Sequence, residues 1–384
     1  FIMKKLISVS GTRFVTRDRT EFIPKGINMV CKDKSRNYNG DYTAKDFKFL
    51  KEKGFNLIRL GIFWDGVEPE PGIYDENYLD KVEAIINMAS SENIPVFLDM
   101  HQDLYGIMFS DGAPVWATVT DGEEHIRTEL WSESYLISPA VWHAFDNFWN
   151  NAAAPDGTGI RTHFIKMWQH LAERFAGHPG VVAYDVFNEP FPGSRGGEIA
   201  CILGDFEKNA GSVTDISDMS ALSGLISGIA AITGEFEQDT LCPFYDELFN
   251  AIRKVDPDTI LLLESNYFAN AGIPSMIRPA VTPSGEVISG QAYAPHGYDI
   301  LVDTDEYETG GTDRIDIIFG SLLEKIRSIG LPAFIGEWGC YRNAGDAQKA
   351  QARHIKGLLA SAGIGNVYYE YPDLLKEDGI ITVL

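Results

Sequence analysis

Apolar residues along this 384-residue chain fall into short runs and helical stripes that alternate in a regular rhythm. The clearest run is Val181 to Pro190, VVAYDVFNEP, bounded by Gly180 and closed by a proline. A run of this length without polar alternation predicts a strand buried on both faces, as in a parallel sheet with helices outside. Similar runs predict strands over 22–30, 57–63, 95–99, 259–264, 287–292, 333–336 and 366–371. Between them the 3.6-residue stripe predicts helices over 42–53, 74–91, 139–150, 162–175, 241–255, 312–329 and 347–362. Gly54 ends the first helix, and Asp75, Glu76 and Asp80 stand early in the second, where the helix dipole favours acids. A short hairpin, Leu6 to Val9 and Arg13 to Thr16, comes first and is expected to plug the bottom of a barrel.

Eight strands alternating with helices predict an α/β fold, a (β/α)8 TIM barrel, as a single domain over 1–384 with long βα loop insertions. One connection, 191–239, is far longer than an ordinary loop. Within it Met219 to Ile232 is apolar and rich in Gly and Ser. Two readings stand: a helical hairpin packed on the rim, or a lid whose apolar face meets a greasy part of a substrate. The run Gly193-Ser194-Arg195-Gly196-Gly197 lacks the Lys-Ser/Thr of a phosphate loop and reads as a flexible hinge for that lid.

Charge narrows the partners. With 32 basic and 55 acidic side chains the formal net charge is −23, which opposes nucleic acid and anionic membrane surfaces. No 18-residue apolar stretch is free of charge, so no transmembrane segment is expected. The aromatic supply, 7 Trp and 16 Tyr, suits a sugar ligand. Cys31, Cys201, Cys242 and Cys340 are scattered and read as free thiols. No apolar run near the N-terminus is long enough for a signal peptide, so a cytoplasmic setting is expected, or a secreted one if a leader was removed.

Chemistry gathers at the ends of the strands. Strand two offers Arg59, strand three His101 and Asp103, strand four Asn188 and Glu189, strand six His296 and Tyr298, and strand seven Glu337. The C-terminal face of a barrel is where such enzymes keep their active sites. Two carboxylates from facing strands suit a retaining glycosidase, in which one protonates the leaving oxygen and the other attacks the sugar carbon. Glu189, as the acid, must hold its proton near neutral pH, and the adjacent negative nucleophile is expected to raise its pKa. Glu337, as the nucleophile, needs donors, and Arg59 and Tyr298 are available. His101 and Asp103 could ligate a metal, but no third ligand stands at a suitable spacing, so no metal and no cofactor is expected. No GxSxG elbow is present, which argues against a serine hydrolase.

These motifs resemble a known family. Asp185-Val186-Phe187-Asn188-Glu189-Pro190, His296-Gly297-Tyr298 and Ile335-Gly336-Glu337-Trp338-Gly339 are similar to glycoside hydrolase family 5, a retaining (β/α)8 group. Lys25-Gly26-Ile27-Asn28, Arg59-Leu60-Gly61, Asp99-Met100-His101-Gln102-Asp103-Leu104-Tyr105 and Gly112-Ala113-Pro114 resemble its endoglycoceramidase branch. The resemblance implies Glu189 as acid/base and Glu337 as nucleophile, with Asn188 binding the sugar 2-hydroxyl. It implies Arg59 and Tyr298 holding the nucleophile, His101 and His296 lining the subsite, and Lys32 and Asp103 contacting sugar hydroxyls. Two departures stand out: Tyr369 occupies the place where the family carries a Trp floor, and no β-sandwich follows the barrel before Leu384. The substrate expected is a β-glycoside with an apolar aglycone, foremost a glycosphingolipid cut between glycan and ceramide, with transient contact with lipid micelles. The alternatives on the same catalytic pair are an exo-β-glucosidase or glucosylceramidase and an endo-β-glucanase; a barrel that binds glycans without cleaving them is the alternative of another class.

Overall fold

A computed structural model describes residues 5–212, 219–304, 307, 311–340 and 345–384. Its main sheet contains nine hydrogen-bonded segments in the order that closes a barrel, every pairing parallel. Strand one is Lys25–Met29, followed by Leu57–Ile62, Val96–Met100, Val181–Asp185 and Ile260–Leu263. Strands seven and eight are Phe334–Trp338 and Gly365–Tyr368, and strand eight pairs back onto strand one. Strand six is split. Gln291–Tyr293 pairs with strand five, and His296–Gly297 pairs with strand seven. Between the pieces lies Pro295, which has no N–H to give the ladder. Its carbonyl still accepts from Gly336, and Tyr293 donates to the Pro332 carbonyl, so the seam is closed.

Three strand ends differ from the sequence pattern for local reasons. The expected first strand, 22–30, is divided at Pro24: Phe22 pairs with Phe14 in the N-terminal hairpin sheet, and the barrel strand starts at Lys25. The expected strand over 287–292 begins only at Gln291, because Gly290 turns the chain at φ +73° and Val287 pairs with Val281 instead. The last strand stops at Tyr368, and Tyr371–Leu374 is already helical, with the Tyr371 hydroxyl donating to Asp46 across the barrel wall.

The barrel interior is layered. At the bottom, Leu57, Phe97, Val182, Ile260, Leu262, Phe334 and Val367 form an apolar cluster, capped by Ile7 and Phe14 of the hairpin. Rings lock this plug, with Phe14 edge-on to Phe334 at 5.7 Å and Phe97 at 5.3 Å from Phe334. Above it the barrel strands turn inward Asn28, Arg59, Asp99 and Asp185, all fully buried. An apolar floor beneath a charged layer fixes the height at which chemistry takes place.

The long connection after strand four is helical. Arg195–Ala210 and Met219–Phe236 are the two helices of the insertion, and the 213–218 part of the expected 191–239 segment lies outside the described residues. The glycine run at 193–197 is packed rather than open. Gly193 is left-handed at φ +63° with Asp146 accepting the Ser194 N–H, a Cβ at Gly196 would strike Phe191, and one at Gly197 would strike Trp142. Glycine serves here for close approach, not for a hinge.

Candidate active site

The site is built around one guanidinium. Arg59, on strand two, is fully buried and donates to six oxygens on five strands: Asn28 Oδ1 at 3.0 Å, Asp99 Oδ1 at 2.9 Å, Asp185 Oδ2 at 2.8 Å, Asn188 Oδ1 at 2.9 Å, Glu264 Oε1 at 3.0 Å and Glu337 Oε2 at 3.0 Å. Burial works against its charge, but Asp99, Asp185, Glu264 and Glu337 overcome it and push its pKa well above the usual value. Only Arg has enough donors in a rigid fork to satisfy such a ring. The crowding of acids has a cost: burial first, then Glu264, drives Asp185 well above the carboxylate range.

The two expected carboxylates meet at the top of this layer. Glu337 accepts from the Tyr298 hydroxyl at 2.6 Å as well as from Arg59. Glu189 lies at 2.7 Å from His296 Nδ1, and the same nitrogen is 3.8 Å from Glu337 Oε2. One oxygen of Glu189 lies within 4.8 Å of one of Glu337. The backbone at Glu189 is left-handed, φ +48°, a conformation that a non-glycine residue keeps only when surroundings enforce it. Glu264 accepts its N–H at 2.8 Å, and Gln102 Nε2 donates to the Asn188 carbonyl at 2.7 Å and the Glu189 carbonyl at 3.2 Å. Burial raises the Glu189 pKa to about 7, with the Glu337 charge a smaller contribution in the same direction and His296 opposing both. Removal from water therefore comes before the neighbouring charge as the cause of the raised pKa, the reverse of the order expected from sequence.

His296 Nε2 is 3.3 Å from Glu264 Oε1. Burial disfavours its cation, yet Glu264 and Glu337 outweigh burial and raise its pKa well above the ordinary imidazole value. Asn188 uses its amide inside the network, accepting from Arg59 and donating to the Gln102 carbonyl at 3.1 Å. One amide N–H therefore remains for a ligand.

A second group lines the opposite wall. Lys32 forms an ion pair with Asp103, lies 3.8 Å from Asp111, and stands over the Tyr369 ring at 5.7 Å. His101 Nδ1 bonds Asp99 at 2.7 Å, its Nε2 faces Asp103 at 3.6 Å, and its ring runs parallel to Tyr369 at 6.4 Å. Despite burial, Asp99 pushes His101 up to about 10, whereas Lys32 overcomes burial to hold Asp103 well below the usual carboxylate range. Asp111 is pushed up to about 6 by burial. Asp103 reaches this wall because Leu104 and Tyr105 are both left-handed, φ +52° and +79°, with the Leu104 N–H held by the Tyr135 hydroxyl and the Tyr105 N–H by Gln102.

The structure thus brings Arg59, Asn188, Glu189, His296, Tyr298 and Glu337 together, with Lys32, His101, Asp103 and Tyr369 beside them. Residues that sequence reasoning missed are Asn28, Asp99, Asp185 and Glu264, each an acid or amide interrupting or ending an apolar run, and Asp111. Asp111 supplies the third potential metal ligand beside His101 and Asp103 that spacing did not reveal. Two further sets, Asp185-Glu264-His296 and Glu189-His296-Glu337, have similar proximity. Positive charge is already present at each, from Lys32, from Arg59 and from His296 itself.

These groups open into a cavity of about 410 Å³ with two unlike ends. Lys32, His101, Asp103, Glu189, Tyr298, Glu337 and Tyr369 line one end. The other is largely apolar, although Glu133, Asp299, Asp303 and Arg314 also line the cavity. Leu222, Leu225, Ile226 and Ile229 present one face of the Met219–Phe236 helix, spaced three and four apart, and Ile273, Ile317 and Ile318 face them.

The chain matches the family model described as Cellulase (glycosyl hydrolase family 5) over residues 16–373. It is 26% identical over 337 residues to an endoglycoceramidase of Cyanea nozakii, covering 79% of this chain and 59% of that protein. With endoglycoceramidase I of Rhodococcus hoagii (strain 103S) it shares 28% identity over 308 residues, covering 76% of this chain and 52% of the relative. The chain therefore spans about half the length of these relatives. Endo-glycoceramidase II from Rhodococcus sp., solved as a lactosyl-enzyme intermediate, matches with a TM-score of 0.72 and 28% identity over 93% of this chain and 74% of that one. The same protein in complex with ganglioside GM3 gives a TM-score of 0.73 and 26% identity, over 94% and 76% of the two chains. Closed barrel, site and family model coincide along nearly the whole sequence, and the chain belongs to glycosyl hydrolase family 5.

Proposed function

We propose that this protein is a retaining β-glycosidase that separates a sugar from an apolar aglycone, with the glycan–ceramide bond of glycosphingolipids as its substrate. Glu189 gives its proton to the departing aglycone oxygen while the Glu337 carboxylate bonds to the anomeric carbon. Glu189 then takes a proton from a water molecule, which attacks the same carbon and releases both the sugar and Glu337. The close approach of the two acids supports retention, since an inverting pair stands ~6.5–9.5 Å apart to admit water between carboxylate and sugar. A Glu189 pKa near 7 suits a group that must act first as acid and then as base.

The observation that carries this reading is the union of both carboxylates and an apolar slot in one cavity. A polysaccharide chain would need an open groove lined by aromatic rings; the slot instead offers Leu and Ile, which favour hydrocarbon. Trp131 and Ile300, 41% and 40% exposed at its rim, suit transient contact with a lipid micelle. The lactosyl-enzyme and ganglioside complexes of the relative lend support. In this reading the insertion is the wall of the aglycone slot.

The test is a panel of glycolipids in detergent and aryl β-glycosides, with products identified by mass. Intact oligosaccharide and free ceramide are expected. Failure to release sugar from any glycosphingolipid, with aryl glycosides still cleaved, would remove the substrate but keep the reaction.

A further inference from the structure

After strand five the chain crosses from the catalytic pair to the apolar slot in a short 3₁₀ helix, Tyr267–Ala271. The Tyr267 N–H donates at 2.8 Å to the carbonyl of Pro190, the residue after Glu189, and the Asn270 carbonyl accepts at 3.0 Å from the N–H of Tyr298. The helix is thus tied at one end beside the acid and at the other beside the residue that holds the nucleophile. Fully buried Glu237 fixes it from behind, accepting from the N–H and the amide of Asn266 and from the N–H of Met276. Side chains three apart on a 3₁₀ helix eclipse one another, so Tyr267 and Asn270 share a face, and both line the cavity, as does Ile273 three residues on. The Tyr267 ring is held by Tyr135 at 4.3 Å and Phe191 at 6.0 Å. Among the described residues neither its hydroxyl nor the Asn270 carboxamide has a hydrogen-bond partner, and neither is sealed from solvent. Arg314, on the same cavity, is by contrast engaged, forking onto Asp299 at 2.9 Å. A plain hydrocarbon entering the slot would strip water from the phenol and the carboxamide and give them nothing in return.

We infer that Tyr267 and Asn270 are specificity-determining residues of the aglycone site, the phenol and the carboxamide hydrogen-bonding the hydroxyl and amide that an N-acylated amino-alcohol carries just beyond the scissile oxygen. The inference rests on the proposed glycolipid substrate and deepens it. The carboxamide offers both donor and acceptor, as an amide in the aglycone requires, and the phenol can face the hydroxyl. Burial, followed by the charges of Glu189 and Asp103, holds the Tyr267 phenol well above its usual range, so it remains a donor. Leu and Ile of the slot then hold the two hydrocarbon chains, while this pair reads the polar group that joins them.

The experiment measures kcat/KM of the wild type, Tyr267→Phe, Asn270→Leu and the double variant on two substrates with the same sugar in detergent, a glycosylceramide and an alkyl β-glycoside of matched carbon count. The ratio between the two is the readout, so partial loss of folded protein cancels from it. In the wild type the glycosylceramide should lead by about 10–100-fold, the effect of two hydrogen bonds between neutral groups. Each single variant should cut that lead by about 3–10-fold, and the double variant should bring the two substrates to within about twofold of each other. A wild-type ratio near one would overturn the inference whatever the variants do, and a ratio that a variant leaves unchanged would overturn the role of that residue; the glycosidase reading would stand in either case. A wild type that cleaves aryl glycosides but releases sugar from neither lipid would overturn the glycolipid substrate and this inference with it.

Discussion

The two ends of the cavity are built on opposite principles. At the polar end directional hydrogen bonds join residues far apart in the chain; Arg59 alone ties its own strand two to strands one, three, four, five and seven with contacts between 2.8 and 3.0 Å. At the apolar end one helix face contributes Leu222, Leu225, Ile226 and Ile229 to the wall, and its contacts have no preferred direction. The first arrangement fixes atoms to fractions of an ångström, as bond making requires. The second removes surface from water and tolerates changes of shape. Substitutions at the polar end should therefore change kcat, and those in the slot should change selection between aglycones.

The strongest way to sharpen this contrast is Glu337→Gln. The shape is retained and Arg59 and Tyr298 keep an acceptor, but the attacking carboxylate is gone, so kcat on every β-glycoside should fall on the order of 10⁴-fold or more. Steady-state assays with aryl glycosides and glycolipids would measure it, and a small loss would end the assignment of the nucleophile.

Glu189→Gln should cost less, about 10²–10⁴-fold, the range of a single acid/base group. Here the sign with pH is set by a carboxyl raised to about 7 that must be protonated to act. Below about 7 the acid form dominates; above it, kcat/KM should fall about tenfold per pH unit in the wild type. Glu189→Gln should lose that alkaline limb, and aryl glycosides whose leaving group needs no proton should suffer least in sugar transfer to the enzyme. A limb that survives unchanged in the variant would assign the titration to another group.

Much of the polar end could be read from sequence because Arg59 interrupts one apolar run and Glu189 and Glu337 stand at the ends of two others. Asp99, Asp185 and Glu264 could not be placed, though they share those runs, since what holds them is a guanidinium 40, 126 and 205 residues away. The carboxyl of Asp111 was hidden for a similar reason: it meets Lys32 only through folding of the loop after strand three. Periodicity located the barrel strands, while their ends were decided by Pro24, Gly290 and Pro295 acting on individual backbone hydrogen bonds. The glycines at 193–197 illustrate a true ambiguity: missing side chains permit both motion and tight packing, and only the positions of Phe191, Trp142 and Asp146 decide for packing. The apolar helix of the insertion was legible as a pattern, but which face it offered to the cleft was not.

That face supplies the gentlest test of the contrast. Each methylene entering the slot is worth about 0.8 kcal/mol, or roughly fourfold in kcat/KM. Along a series of alkyl β-glucosides kcat/KM should climb by about that factor per carbon until the slot is full, while kcat changes little. Leu225→Asp and Ile229→Asp each put a carboxylate where Leu225 and Ile229 now stand 8% and 4% exposed. Chain-length dependence should flatten in both, and the longest alkyl glycosides and glycolipids should lose about 10–200-fold through KM. Short aryl glycosides, which stop at the catalytic pair, should stay within about twofold because their contacts do not reach this helix. A uniform loss on short and long substrates would mean that the helix supports the polar end instead, and the two halves of the cavity would then act as one.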